Sequence, residues 1–306
     1  YDLSQVTENF FTPEEIKDRA TVTEAVQAPI SEVQKMYEEQ LEDLKKRRIW
    51  DKKSTLPGIN FAIEKQLDLL KKVGSSFGQE CQWSLAPTSN VRDFFLNNNS
   101  FGFGCAAALH SMIREFRPRN IIEIGSGYSS LIIANAIEKN VSEGKGKAAY
   151  LLIDPFPRDF IQSEIVPNAT LIKDRVELQD SQAFDILQAN DILFIDSSHV
   201  AKIGSDVNFL FLEILPRLRP GVIIHIHDIQ LPYEYPSAYA LSETWRQFWT
   251  EQYLLQAFLI YNSSFEVLLA VHYLMRDHQR AFKDAFPYFD ASSPVRSGSF
   301  WLRRTT

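Results

Sequence analysis

Cysteine is scarce: among 306 residues there are two, Cys81 and Cys105. That is too few for a disulfide framework and not the spacing of a zinc site, so a reducing compartment is expected, the cytoplasm by default. Positive charge is also in short supply. The 32 basic side chains face 39 acidic ones, giving a net charge of −7 and a pI near 5.5. This excludes a global field able to hold the chain on nucleic acid or an anionic membrane and favours a small-molecule or protein partner. No run approaches the ~18 to 20 apolar residues of a membrane span. The first 30 residues carry acids throughout instead of a basic start and an apolar run, so no export signal is expected. Repeats and low-complexity segments are missing too. What remains is an ordinary globular composition, 45% hydrophobic and 23% charged. At roughly 150 residues per domain this allows one large domain with additions or two modest ones. A start at Tyr1, not methionine, fits unseen leading residues or a domain cut from something longer.

Residues 1–50 are charged and helical in pattern. Ser31 and Gln34 form a capping box, and Val33, Met36, Tyr37, Leu41 and Leu44 recur at helical spacing. After the Pro57-Gly58 break a second helix is expected over about 61–73. Residues 1–103 thus read as an N-terminal helical cap, covering a site or carrying a dimer contact. From 104 to 306 short β-branched runs alternate with amphipathic segments, the pattern of a parallel sheet with helices on both faces. Strands are expected at 120–124, 149–153, 170–173, 192–195, 222–227, 265–270 and 299–303. Helices are expected near 104–117, 129–140, 158–165, 181–189 and 205–215, with a long one over 237–261.

The run Ile121-Ile-Glu-Ile-Gly-Ser-Gly-Tyr-Ser-Ser130 is a buried strand entering a glycine turn and then a helix. Gly125 and Gly127 let the backbone approach a ligand, and the helix start presents unpaired amide donors. Ser130 stands where a dinucleotide fingerprint has its third glycine, which argues against nicotinamide or flavin. Asp154 ends the next strand, where a carboxylate can accept both hydroxyls of a ribose. Turn and acid together point to an adenosine-containing cofactor. A second cluster comprises Asp196, His199, His225, His227 and Asp228. Asp196 closes one strand and His227-Asp228 the next, and neighbouring strands lie ~4.8 Å apart, so ligands on their ends can reach one ion. His225, two residues before His227, lies one layer deeper on the same face and reads as a hydrogen-bonded core histidine.

These linked runs, with Phe194-Ile-Asp-Ser-Ser-His199 and Pro220-Gly-Val-Ile-Ile-His-Ile-His-Asp228, resemble the Rossmann-fold S-adenosylmethionine-dependent methyltransferases over residues 104–304. The resemblance implies a doubly wound α/β fold, a seven-stranded, mostly parallel sheet whose last strand is antiparallel and inserted beside the 265–270 strand. It implies S-adenosyl-L-methionine as cofactor. Glu123, Gly125 and Gly127, with Tyr128 and Ser129, would shape its methionine side, Asp154 would bind the ribose, and Asp174 and Val176 would lie near the adenine. In a subgroup similar to the catechol and macrolide-sugar O-methyltransferases, the places of Asp196, His227 and Asp228 hold a divalent metal. His227 stands where that subgroup usually carries oxygen, which moves the expectation from Mg²⁺ toward Mn²⁺ or Fe²⁺. His199 falls where the catechol-type enzymes have a proton-accepting lysine, and can act as the base or as a further ligand. Tyr233 and Tyr235, in the loop after the ligands, can wall an acceptor pocket, and 97–104 can close over the cofactor.

The expected activity is metal-assisted O-methylation of a small-molecule or natural-product acceptor. C-methylation of a carrier-bound β-keto thioester, as a domain of a larger polyketide synthase, stays open. So do a nicotinamide-dependent oxidoreductase, which would use the same turn and acid, and a non-catalytic binding domain.

Overall fold

A computed structural model describes residues 35–162, 169–242, 246–290 and 297–306. The chain divides into two compact units, residues 1–52 with 236–247 and residues 53–235 with 248–306. In the first, a helix over 35–46 and a short helix, Ser237–Leu241, are described. The Tyr37 hydroxyl donates to the Ala240 carbonyl at 3.1 Å, and the Arg246 guanidinium lies 5.0 Å over the Tyr37 ring. The Ser31–Gln34 capping box lies outside the described residues.

The second unit holds the sheet. Its strands are β1 (Asn120–Ile124), β2 (Ala149–Ile153), β3 (Ala169–Ile172), β4 (Ile192–Ile195), β5 (Ile223–Ile226), β6 (Phe265–Ala270) and β7 (Phe300–Arg304), ordered β3-β2-β1-β4-β5-β7-β6. The first five are parallel, and β7 runs antiparallel between β5 and β6. Strands covered on both faces need continuous apolar runs, and β4 and β5 are buried along their whole length. The helices are α1 (Ile63–Phe77), α2 (Phe103–Phe116), α3 (Tyr128–Ser142), α4 (Asp206–Phe209), α5 (Glu251–Leu259), α6 (Val271–Asp277) and α7 (Gln279–Ala285). Residues 53–103, which the pattern groups with the cap, pack within this larger unit: α1 lies on β6, α2 and α7.

The seven-stranded sheet with its inserted last strand is as expected. Three helices are not. The expected helix 205–215 is α-helical only through Phe209, then becomes a π-turn (Leu210–Ile214) and a 3₁₀ turn (Leu215–Arg217). Pro216 has no N–H to continue the ladder. Residues 181–189 form a 3₁₀ segment, Ser181–Ile186, capped by the Asp180 side chain. The long helix 237–261 is replaced by Ser237–Leu241 and α5, because Thr250 and Glu251 turn their N–H groups outward to the His199 carbonyl at 2.8 and 3.1 Å. The pattern gave no hint of α6 and α7. The expected helix 158–165 is described only as Asp159–Gln162.

Candidate active site

The parallel ladder runs one residue past each strand tip. Asp154 N donates to Ile172 O, Gly125 N to Ile153 O, Asp196 N to Ile124 O and His227 N to Ile195 O, at 2.8–3.1 Å. With Ile153, Ile124, Ile195 and Ile226 in register, the next residues stand in one row across β2, β1, β4 and β5: Asp154, Gly125, Asp196, His227. Open α/β sheets bind ligands at this carboxyl edge.

At Gly125 the turn requires glycine twice over. Its φ is +76°, and a Cβ there would sit 2.0 Å from the Asp196 carbonyl oxygen. Asp154 organises the same turn, accepting from Ser126 N and Oγ at 2.8 and 2.6 Å and from Phe156 N at 2.8 Å. A cavity of about 660 Å³ opens beside it, lined by Gly125, Ser126, Asp154, Val176 and Asp196 among others. Asp174 is exposed, its carboxylate accepting from Arg175 N, and the cavity wall is formed by the next residues, Arg175 to Glu177. Tyr128 faces elsewhere, packed between Phe95 and Phe160 with Arg158 over its ring. Glu123 lies beneath the turn with no exposed surface. Its carboxyl receives the hydroxyls of Ser129 (2.6 Å), Ser130 (2.9 Å) and Tyr150. Burial pushes it up to about 8, since these three donors carry no charge to offset the lost hydration.

Asp196, His227 and Asp228 each offer a ligand atom within 4.8 Å of the other two. Asp228 has φ +55°, which turns the chain back over the edge, and Gly298 packs against it so closely that a Cβ would meet Asp228 Cα at 2.5 Å. The His227 ring is stacked on Phe101, centroids 5.1 Å apart and planes 23° apart. His199 Nε2 faces both acids, 3.2 Å from Asp196 Oδ1 and 3.7 Å from Asp228 Oδ2, while Nδ1 is 2.7 Å from Glu251 Oε2. Burial disfavours the charged ring, but the bonds to Asp196 and Glu251 win and hold the His199 pKa well above its usual value. In turn, the partial burial of Asp196 is outweighed by His227 and His199, which hold its carboxyl at about 2. The His199 imidazole thus stands between the carboxyl groups of Asp196 and Asp228. His225 is apart from it, its Nε2 2.8 Å from Ser299 Oγ and its ring stacked on Phe194 at 4.1 Å; burial drives its pKa well down.

Tyr233 and Tyr235 do not line the large cavity. The Tyr233 hydroxyl donates to Asp277, with Arg276 3.8 Å over its ring. The Tyr235 oxygen accepts from Gln252 N at 2.9 Å, and its ring meets Trp249 edge-on at 6.0 Å. In the 97–104 segment Asn98 ties its own loop, accepting from Ser100 N and Phe101 N at 2.9 and 2.7 Å. Phe101 and Phe103 wall a separate cavity of about 320 Å³ with Met275 and Phe289. The residue that the sequence pattern missed is Glu251. Its signal was Thr250 immediately before it, a helix-start pair inside what reads as one long helix.

Residues 122–229, which span the row of strand tips, match the family model described as a methyltransferase domain. An uncharacterized protein of Archaeoglobus fulgidus is 34% identical over 138 residues, covering 44% of this chain and 61% of that protein, so the chain spans about three fifths of its relative. Among solved structures, an SAH-bound methyltransferase of Podospora anserina is similar at 15% identity and TM-score 0.37, over 78% of this chain and 88% of that one. A cmcI structure with Mg and SAM is similar at 20% identity and TM-score 0.34, over 66% and 72%. No described helix is long and apolar enough to cross a membrane. The match to the methyltransferase-domain model thus lies on the stretch that carries Gly125, Asp154, Asp196, His227 and Asp228, the glycine turn and the acid–histidine edge of this sheet.

Proposed function

We propose that the chain transfers the methyl group of S-adenosylmethionine to a hydroxyl of a small-molecule acceptor, with a divalent cation held by Asp196, His227 and Asp228. The observation that carries this reading is the convergence of those three side chains within 4.8 Å, with Asp196 also on the wall of the cavity beside Gly125. Two carboxylate oxygens and one imidazole nitrogen suit Mn²⁺ or Fe²⁺ better than Mg²⁺. Such an ion supplies Lewis acidity, lowering the pKa of an acceptor hydroxyl and fixing its angle.

The chain's own residues do the rest. Gly125 lets the cofactor approach the backbone, and Asp154 exchanges the Ser126 hydroxyl for those of the ribose. Val176 closes the adenine side. The acceptor oxygen attacks the methyl carbon in line as the carbon–sulfur bond breaks, and S-adenosylhomocysteine leaves. A cation held by Asp196 and Asp228 would weaken their grip on the His199 Nε2 proton, which would pass to solvent. The freed Nε2 would then be the group to take the acceptor's proton, with Glu251 balancing the charge on the ring. The 320 Å³ cavity behind Phe101 is of a size for a small acceptor.

Elemental analysis, calorimetry with S-adenosylhomocysteine and NADH, and product analysis with oxygen and carbon acceptors test this. The expected results are stoichiometric Mn or Fe, binding of S-adenosylhomocysteine and not NADH, and a methyl ether as product. A C-methylated product with no ether would replace the O-methylation reading, and absence of metal would remove the cation from it.

A further inference from the structure

We infer that Glu251 is a positioning residue that fixes His199 so that its Nε2 faces the paired acids. Its role in the reaction rests on the reading above, while its effect on His199 rests on geometry alone. Glu251 opens α5, has no exposed surface and lies 52 residues from His199 in the chain. Its Oε2 meets His199 Nδ1 at 2.7 Å, and its Oε1 accepts from Ser197 Oγ at 3.2 Å. The same turn grips the backbone. The N–H groups of Thr250 and Glu251 both donate to the His199 carbonyl, and Thr250 Oγ1 accepts from Ala201 N at 2.7 Å. His199 has φ +61°, a left-handed conformation that a non-glycine residue keeps only when its surroundings impose it. The Trp249 ring lies against the imidazole, with centroids 4.2 Å apart.

The ring is thus held at its backbone, on one side and at Nδ1. A carboxylate on Nδ1 dictates which nitrogen is left for other partners. Here Nε2 is left, and it faces Asp196 Oδ1 at 3.2 Å and Asp228 Oδ2 at 3.7 Å. The chain Glu251–His199–Asp196 therefore orients a candidate ligand from two shells away. Outer partners of this kind are worth about 10- to 100-fold in metal affinity.

The test uses Glu251→Met, which fills the space without accepting a hydrogen bond, and Glu251→Gln, which restores an oxygen for Nδ1–H. In histidine-labelled wild-type protein without metal, Nδ1–H of His199 is expected as a slowly exchanging downfield resonance, assigned by its absence in His199→Asn. It should vanish in E251M and return, displaced, in E251Q. With Mn²⁺ alone as probe, calorimetry should show E251M weaker by about 10- to 100-fold and E251Q closer to wild type. Persistence of the resonance in E251M, or Mn²⁺ affinity within about twofold of wild type, would overturn the inference. If E251M does not fold, E251Q still decides, because an unshifted resonance there sinks it. If wild type binds no Mn²⁺, the metal-assisted reading fails by itself while the resonance still judges Glu251.

Discussion

Glu123 on β1 and Asp196 at the tip of β4 lie on adjacent strands and on the same side of the sheet, since Glu123 pairs with Phe194, two residues before Asp196. Around Glu123 are three hydroxyls, and burial holds its proton up to about 8. Around Asp196, which is only partly buried, are imidazoles, and its carboxyl is held at about 2. Hydrogen bonds from neutral donors satisfy a carboxyl, whereas charged neighbours ionise it. The first arrangement makes a neutral buttress under the glycine turn, and the second holds an ionised acid at the edge of the sheet. Glycine-turn side and acid–histidine side should therefore respond differently to substitution and to pH.

Gly125→Ala should separate them most violently. With φ +76° and a Cβ 2.0 Å from the Asp196 carbonyl, the change strains the turn and pushes the two regions apart. A loss of about 2–5 kcal/mol in denaturant unfolding, with S-adenosylhomocysteine binding abolished, is expected. Wild-type stability would break the comparison by showing that the two strand tips are not locked together. Asp228→Ala comes next. It should abolish stoichiometric Mn or Fe on elemental analysis and spare S-adenosylhomocysteine affinity, because Asp228 is not among the residues lining the large cavity. Equal loss of both would merge the two regions into one.

A smaller effect is expected from Glu123→Gln. An acid whose pKa rises from 4.5 to about 8 on folding makes the native state bind the extra proton, so its contribution to stability falls as pH rises through that window. The glutamine variant should lose this slope in urea melts between those pH values. The smallest change tests the opposite sign at a third acid. Glu80 is partly buried, yet His110 at 2.8 Å and Arg114 at 3.0 Å lower it from 4.5 to about 2. Its stabilisation is present above 4.5 and fades as pH falls toward 2. Glu80→Gln should flatten that acid limb and leave the slope nearer neutrality alone.

Much of this was legible because parallel strands covered on both faces must be written as unbroken apolar runs, as in Ile192–Ile195. Their punctuation is equally visible: Gly125, Asp154, Asp196 and His227 each follow such a run. Glu251 was hidden because its partner is 52 residues away and its flanks share the helical period. The partner of Tyr233 was hidden for a related reason. The sequence puts Tyr233 beside the ligands, but it pairs with Asp277, which belongs to a helix that left no periodic signal.

The place of β7 has a temporal consequence. It is made after β6 but lies inside it, so until it arrives β5 has no outer neighbour and β6 no route into the sheet. Gly298, which presses on Asp228, comes with that same late segment. A nascent chain can lay down the donor side of the edge early and carry it on a half-built scaffold with a bare strand margin. The acid side gets its back wall only when that segment is in place, so assembly at this edge is out of step with synthesis.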